Sequence, residues 1–282
     1  MNLQPRNAEL EAGYNVRAAI PDHPAVFARW KQESADYRAQ AGGRLDLSYG
    51  EGAAQTLDFF PAGRGAPLQV FLHGGYWQAM DKADFSFIAR TWNERGVSVA
   101  IPNYALCPVV SLDIIVAQMR RALNWLHGHA SELEFDADRL QLSGHSAGGQ
   151  LTAMLLATDW GRLCPGLRAP AVHSAVSISG VFDLEPLRYT SINDRLGLDA
   201  TAARRNSPLR MRPTLHVPLI LAVGALESAA FHAQSDALAA EWRDALPAIR
   251  RIDLAGCNHL GAVEALGRAE SPLFEAAHGL LG

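Results

Sequence analysis

The pentapeptide Gly144-His145-Ser146-Ala147-Gly148 carries the strongest chemical signal in the chain. It follows the apolar run Leu140 to Ser143 and precedes the helix-forming stretch Gln150 to Ala157, so the order is strand, sharp turn, helix. Glycines on both sides of the serine let strand and helix approach each other and leave the hydroxyl raised above the turn. Ser146 is therefore a candidate nucleophile. A second signal, His73-Gly74-Gly75-Tyr76-Trp77, directly follows the apolar run Leu68 to Leu72. Adjacent glycines allow the N–H groups of Gly74 and Gly75 to point at one spot. With the N–H of Ala147 they could bind an oxygen that becomes negative during acyl transfer.

A serine hydroxyl is a weak nucleophile at neutral pH and needs a base. Of the ten histidines, His259 is the best placed, because Gly256-Cys257-Asn258-His259-Leu260 lies just beyond the run Ile249 to Leu254 and before the last helix-length segment. His127 and His129 form an HxH at an expected helix end, where a cation favours the helix dipole, which fits capping better than metal ligation. The base in turn needs an orienting carboxylate. Glu227, four residues past Val223, is preferred, and Asp183, which follows Ser179-Gly180-Val181-Phe182, is the alternative. The carboxylate not used serves as a cap or turn residue.

These groups must be held by a scaffold, and the chain supplies a regular one. Short β-compatible runs at Leu68 to Leu72, Val97 to Ile101, Leu140 to Ser143, Val172 to Ser179, Leu219 to Val223 and Ile249 to Leu254 alternate with helix-length segments. The segments are Asp84 to Arg95, Leu112 to Leu126, Ala147 to Ala157, Ala229 to Leu246 and Ala262 to Leu281. That alternation predicts an α/β fold, a doubly wound and mostly parallel sheet with helices on both faces. Leu45 to Tyr49 and Thr56 to Phe60 predict a hairpin or edge pair, and residues 24 to 41, with Phe27, Trp30 and Tyr37, predict a leading helix that covers part of the domain. Residues 183 to 217 break the pattern with Pro186, Pro208 and Pro213 and predict a small cap inserted into a single domain of residues 1–282.

Composition narrows the function from the other side. The 282 residues are 49% hydrophobic and 19% charged, a balance that excludes disorder. A net charge of −4 supplies no basic field for nucleic acid or an anionic membrane. The polar N-terminus, with Glu9 and Glu11, lacks signal-peptide character, and no apolar run reaches membrane-spanning length, so a soluble cytoplasmic protein is expected. Cys107, Cys164 and Cys257 are widely spaced and predict reduced, buried thiols. A homodimer through an exposed edge or the N-terminal segment is compatible with the sequence.

With these residues in place, the chain resembles the kynurenine formamidases (arylformamidases) of the α/β-hydrolase superfamily, relatives of the hormone-sensitive-lipase-like esterases. The resemblance rests on His73-Gly74-Gly75-Tyr76-Trp77, on Gly144 to Gly149, on Gly180-Val181-Phe182-Asp183-Leu184-Glu185-Pro186-Leu187, and on Glu227-Ser228 followed by Phe231, Gln234 and Ser235. It spans about residues 45 to 265. The family usually carries aspartate where this chain has Glu227. The resemblance implies Ser146 as nucleophile, His259 as base, Glu227 as its acid, and Gly74, Gly75 and Ala147 as oxyanion donors. It implies hydrolysis of N-formyl-L-kynurenine to L-kynurenine and formate, without cofactor or metal. A formyl group needs only a small acyl pocket, while the aromatic leaving group needs a flat wall, for which Tyr76, Trp77, Phe182 and Tyr189 are candidates. Arg188, Arg195 and Asp194 are candidates for the substrate's carboxylate and amine. The alternatives are a broad short-chain carboxylesterase, which the same groups would serve, and a ligand-binding protein that has kept the fold.

Overall fold

The computed structural model describes residues 5–163 and 171–282. Its strands are β1 (Arg44–Ser48), β2 (Thr56–Phe60), β3 (Ala66–Leu72), β4 (Ser98–Pro102), β5 (Phe135–His145), β6 (Val172–Ile178), β7 (Leu219–Gly224) and β8 (Ile249–Leu254). They form one sheet in the order β1-β2-β4-β3-β5-β6-β7-β8. β2 runs antiparallel to both β1 and β4, and the pairs from β4 through β3 to β8 are parallel. The expected edge hairpin and the expected parallel series are both present. Because the chain winds from β3 outward to β4 and then back across to β5, the winding direction reverses between β3 and β5. In open α/β sheets the crevice at the carboxyl ends of two such strands is the usual ligand site.

The strands show why both faces are covered. In β3, Leu68, Val70 and Leu72 join one core cluster and Phe71 joins the other, the period-two alternation of a strand buried on both sides. The first face is covered by the helix Leu112–Gly128, whose Leu112, Ile115, Val116, Met119, Leu123 and Leu126 recur at helical spacing, and by the helix Ala147–Leu156, buried along its whole length. The second face packs against Trp30 and Tyr37 of the helix His23–Gln40, against Trp92, and against Leu273 and Phe274 of the helix Pro272–Gly279.

Several elements differ from the sequence reading for identifiable reasons. The segment from 84 to 95 is only partly α-helical: two 3-10 turns, Lys82–Asp84 and Ser86–Ile88, lead into a short helix at Ala89–Glu94. The last helix is not continuous from 262 to 281. It divides into His259–Glu264, a 3-10 turn at Ala265–Gly267, and Pro272–Gly279, because Pro272 takes the first helical position and the Ser271 hydroxyl caps it. Residues 183 to 217 hold two short α-helices, Asn193–Leu196 and Ala200–Arg205, between 3-10 turns at Pro186–Tyr189 and Pro208–Arg210. The N-terminal helices Ala8–Tyr14 and Val16–Ala19 were not anticipated, although Asn7 before an acidic first turn is an N-cap signal, and its side chain does cap the first helix. Cys107 is buried and its thiol is pushed up to about 11 by burial, Cys257 is half-buried, and Cys164 lies outside the described residues.

Among the described glycines the tightest approach is that of the helix Ala147–Leu156 to β3. A Cβ on Gly148 would stand 1.9 Å from the Leu72 carbonyl oxygen, inside any permitted contact. Gly148→Ala is expected to destabilise the protein by about 4 kcal/mol or more in urea denaturation. Gly128→Ala, at a helix end with open space around it, is expected to change stability by less than about 1 kcal/mol. Equal effects of the two substitutions would contradict this account.

Candidate active site

Five parallel strands deliver the site from one edge of the sheet. Gly74 follows β3, Ser146 follows β5, Ser179 follows β6, Glu227 follows β7 and His259 follows β8. Ser146 has φ 55° and ψ −115°, the strained left-handed turn expected between strand and helix, and its N–H donates to the Ile178 carbonyl at 2.7 Å. The turn is over-determined by its neighbours, since the flanking glycines touch β3 on one side and helix backbone on the other.

His259 opens the helix that follows β8, after Asn258, whose side chain caps that helix through the N–H groups of Leu260 and Gly261. The imidazole is 7% exposed, and its Nδ1 lies 2.6 Å from Glu227 Oε2. The His145 and Phe231 rings hold it laterally, with centroids 4.6 and 4.5 Å away. The other oxygen of Glu227 accepts from the Gly224 N–H at 2.7 Å and from the Ser179 hydroxyl. Burial works against charge on this carboxyl, but His259 and the two further donors outweigh it and hold Glu227 below the usual carboxylate range. Of the two carboxylates open in the sequence, Glu227 is the one bonded to the histidine. Asp183 instead accepts from Arg210 at 3.0 Å and from the N–H of Glu185 at 3.1 Å, a turn residue. Ser179, itself at φ 51°, is a Glu227 partner that the sequence reading missed.

His145 is buried beside Ser146, and its Nε2 donates to the His259 carbonyl at 2.9 Å. Burial, with the neighbouring His259, drives its pKa well below 6.5, so it is a neutral imidazole with the proton on Nε2.

The glycine loop after β3 is unusual backbone. Gly75 has φ 110°, where a Cβ would lie 2.2 Å from the Ala79 carbonyl, and Tyr76, Trp77 and Met80 also have positive φ, each at a cost of about 1 kcal/mol or more. Anchors hold it there: the Trp77 carbonyl accepts from the Cys107 N–H at 2.8 Å, and the Trp77 indole donates to Gln150 at 3.2 Å. The position a Cβ would take on Gly74 is 3.3 Å from the Ser146 Cβ, so the loop lies against the serine. Ala147, as the first helical residue, has an N–H that the helix itself leaves unpaired.

Ser146 and His259 line a single cavity of about 320 Å³, together with Gly75 and Tyr76. Its aromatic wall differs from the expected one. Tyr76 is present, its hydroxyl donating to the Tyr14 carbonyl at 2.5 Å. Trp77 and Phe182 do not line the cavity: both are fully buried, Trp77 tied to Gln150 and Phe182 packed in the first core cluster. Tyr189 is turned away as well, its hydroxyl on Glu185. The wall is completed by Phe27 and Trp30 of the helix His23–Gln40, and the Trp30 indole is fixed by a 2.8 Å bond to Glu264. Of the polar candidates, Arg195 lines the cavity, Arg188 pairs with Glu185, and Asp194 pairs with Arg6. Asn15, Val16 and Arg17 of the N-terminal segment also line it, which no feature of the sequence reading placed there.

Sheet order and strand directions, with helices on both faces, define an α/β-hydrolase fold. A solved protein from Silicibacter sp. TM1040, described as a candidate thioesterase, shares it at TM-score 0.85 and 33% identity over 96% of this chain and 100% of that one. The BD-FAE family model matches residues 59–238. The chain is 31% identical to the kynurenine formamidase of Danio rerio over 79% of its own length and 76% of the relative's. It is 34% identical to that of Salmo salar over 68% of its length and 66% of the relative's. The chain belongs to the kynurenine formamidase family, a family of hydrolases. Among the described residues no helix is long and apolar enough to cross a membrane.

The buried titratable groups set a direction for pH dependence. Burial holds the imidazoles of His73 and His145 below 6.5, and the partners of Glu227 hold its carboxyl below 4.5. Each binds its proton in the unfolded chain before it does so in the folded one, so stability is lost as pH falls through 6.5 and then through 4.5. The urea midpoint is expected to fall on acidification, and to fall less in His145→Gln; a midpoint indifferent to pH in this range would refute the assignment.

Proposed function

We propose that the protein is a serine hydrolase that cleaves the formamide of N-formyl-L-kynurenine. The observation that carries this reading is the cavity in which Ser146 and the Glu227-bonded His259 stand beside the aromatic wall of Phe27, Trp30 and Tyr76. It is supported by curated relatives named kynurenine formamidase. In the proposed reaction the Ser146 Oγ attacks the formyl carbon while His259 Nε2 takes its proton. Glu227 stabilises the resulting imidazolium through Nδ1, and the carbonyl oxygen, now negative, is held by the N–H groups of Gly74, Gly75 and Ala147. Collapse of the tetrahedral intermediate breaks the C–N bond, and the arylamine leaves with the proton from His259. Water, deprotonated by His259, then attacks the formyl ester on Ser146 and releases formate.

Glutamate suits this position better than aspartate would. Its additional methylene lets one oxygen reach His259 while the other stays on Gly224 and Ser179. Aspartate at this position would have to give up one set of bonds or move the loop.

Purified protein is expected to hydrolyse N-formyl-L-kynurenine with a larger kcat/KM than a short p-nitrophenyl ester. Ser146→Ala should lower kcat by about a millionfold and Glu227→Gln by about 10³ to 10⁴. Asp183→Asn, which loses contact with Arg210 rather than with His259, should leave kcat within about threefold. Ester turnover without formamide turnover would reject the substrate and leave the serine chemistry standing; a thioester then becomes the next substrate class to assay, since the Silicibacter protein is described as a candidate thioesterase.

A further inference from the structure

The roof of the cavity is made of two segments far apart in sequence and clasped to each other. Glu11 accepts from both the N–H and the hydroxyl of Ser191 at 2.6 Å, the Asn7 N–H donates to the Tyr189 carbonyl at 2.8 Å, and Arg6 pairs with Asp194. This clasp brings Arg17, from the N-terminal segment, and Arg195, from the insertion, onto the same cavity. Neither guanidinium is paired among the described residues. Of the acidic neighbours, Asp194 pairs with Arg6, and Glu11, which accepts from Ser191, makes no ion pair with either arginine. Among the described residues neither arginine has an ion pair or a guanidinium hydrogen bond, and no Asp or Glu lines the cavity. Both side chains are exposed, so they form a positive rim rather than a buried anchor.

Two free guanidiniums at the mouth of an otherwise largely apolar cavity focus a positive potential onto whatever enters. Arg17 and Arg195 line the same cavity as Ser146, Phe27 and Trp30, so a ligand bound there with its acyl group at Ser146 shares the cavity with both guanidiniums. We propose that Arg17 and Arg195 together select substrates that carry a carboxylate on the leaving-group side, distal to the scissile bond. The inference rests on the acyl-transfer reading of Ser146, but not on which formamide or ester is the natural substrate. Arginine suits the task because its planar fork engages a carboxylate through two hydrogen bonds.

The test uses two aryl acetates of the same shape, anionic 4-acetoxybenzoate and neutral 4-acetoxybenzamide, alongside N-formyl-L-kynurenine. The wild-type chain is expected to favour the anion. In the double variant Arg17→Gln/Arg195→Gln, the ratio of kcat/KM for anion over neutral compound should fall about tenfold, chiefly through KM. High salt should reduce the wild-type ratio in the same direction and have little further effect on the variant. A wild-type preference for the neutral compound, or a ratio untouched by the double substitution, would overturn the proposal. If N-formyl-L-kynurenine is not cleaved while the ratio behaves as described, that substrate is wrong and the arginine assignment stands. If Ser146→Ala leaves acetate turnover intact, the acyl-transfer reading falls, and calorimetric binding of benzoate against benzamide to wild type and double variant still decides the arginines.

Discussion

The placement of Ser146 beside the glycine loop depends on the contact between Gly148 and the end of β3. Only a hydrogen at that position lets the helix Ala147–Leu156 begin against the Leu72 carbonyl, and only that approach brings the turn at Ser146 beside the glycine loop that leaves β3. Ser146, the glycine loop and the first N–H of the helix thus share one small region because two pieces of backbone touch. The strain at Ser146 and along residues 75 to 80 persists because the surrounding sheet and helices leave those residues no relaxed alternative.

The second constraint is a charge kept out of water. Glu227 has a side chain only 1% exposed, a position where an unpaired carboxylate would cost several kcal/mol. Three donors drawn from the ends of β6, β7 and β8 compensate it: Ser179, the Gly224 N–H and His259. The same bonds that make the buried charge tolerable also fix the imidazole's tautomer and direction, so stability and chemistry make the same demand on these residues. His145 adds to this order from the other side. Held neutral by burial, it places no positive charge next to His259, the histidine bonded to Glu227.

The roof is a different kind of structure. It consists of short helices and turns, and polar bonds between the N-terminal segment and the insertion join it where strand pairing does not reach. Two kinds of structure thereby meet at the cavity: the sheet edge carries Ser146 and His259, and the segments above it carry Arg17 and Arg195.

How much of this the sequence contained differs by kind of information. Among the described residues the eight strands, the strained turn at Ser146 and the glycines after β3 were all legible, because strand periodicity and turn chemistry are local and a strained turn admits few residue types. Glu227 and Asp183 remained alternatives in the sequence, since both follow a strand and both could orient an imidazole; the tertiary structure separates them by putting Glu227 against His259 and Asp183 against Arg210. The aromatic wall was misplaced for a similar reason. Trp77 and Phe182 are adjacent in sequence to functional loops but point into the core, whereas Phe27 and Trp30 reach the cavity from a helix more than a hundred residues away from Ser146. Local sequence determined which backbone shapes and which reactive residue types this protein has. Which side chains meet across the cavity was decided only by packing, because contacts between distant segments depend on how the helices cover the sheet and leave no periodic trace in the chain.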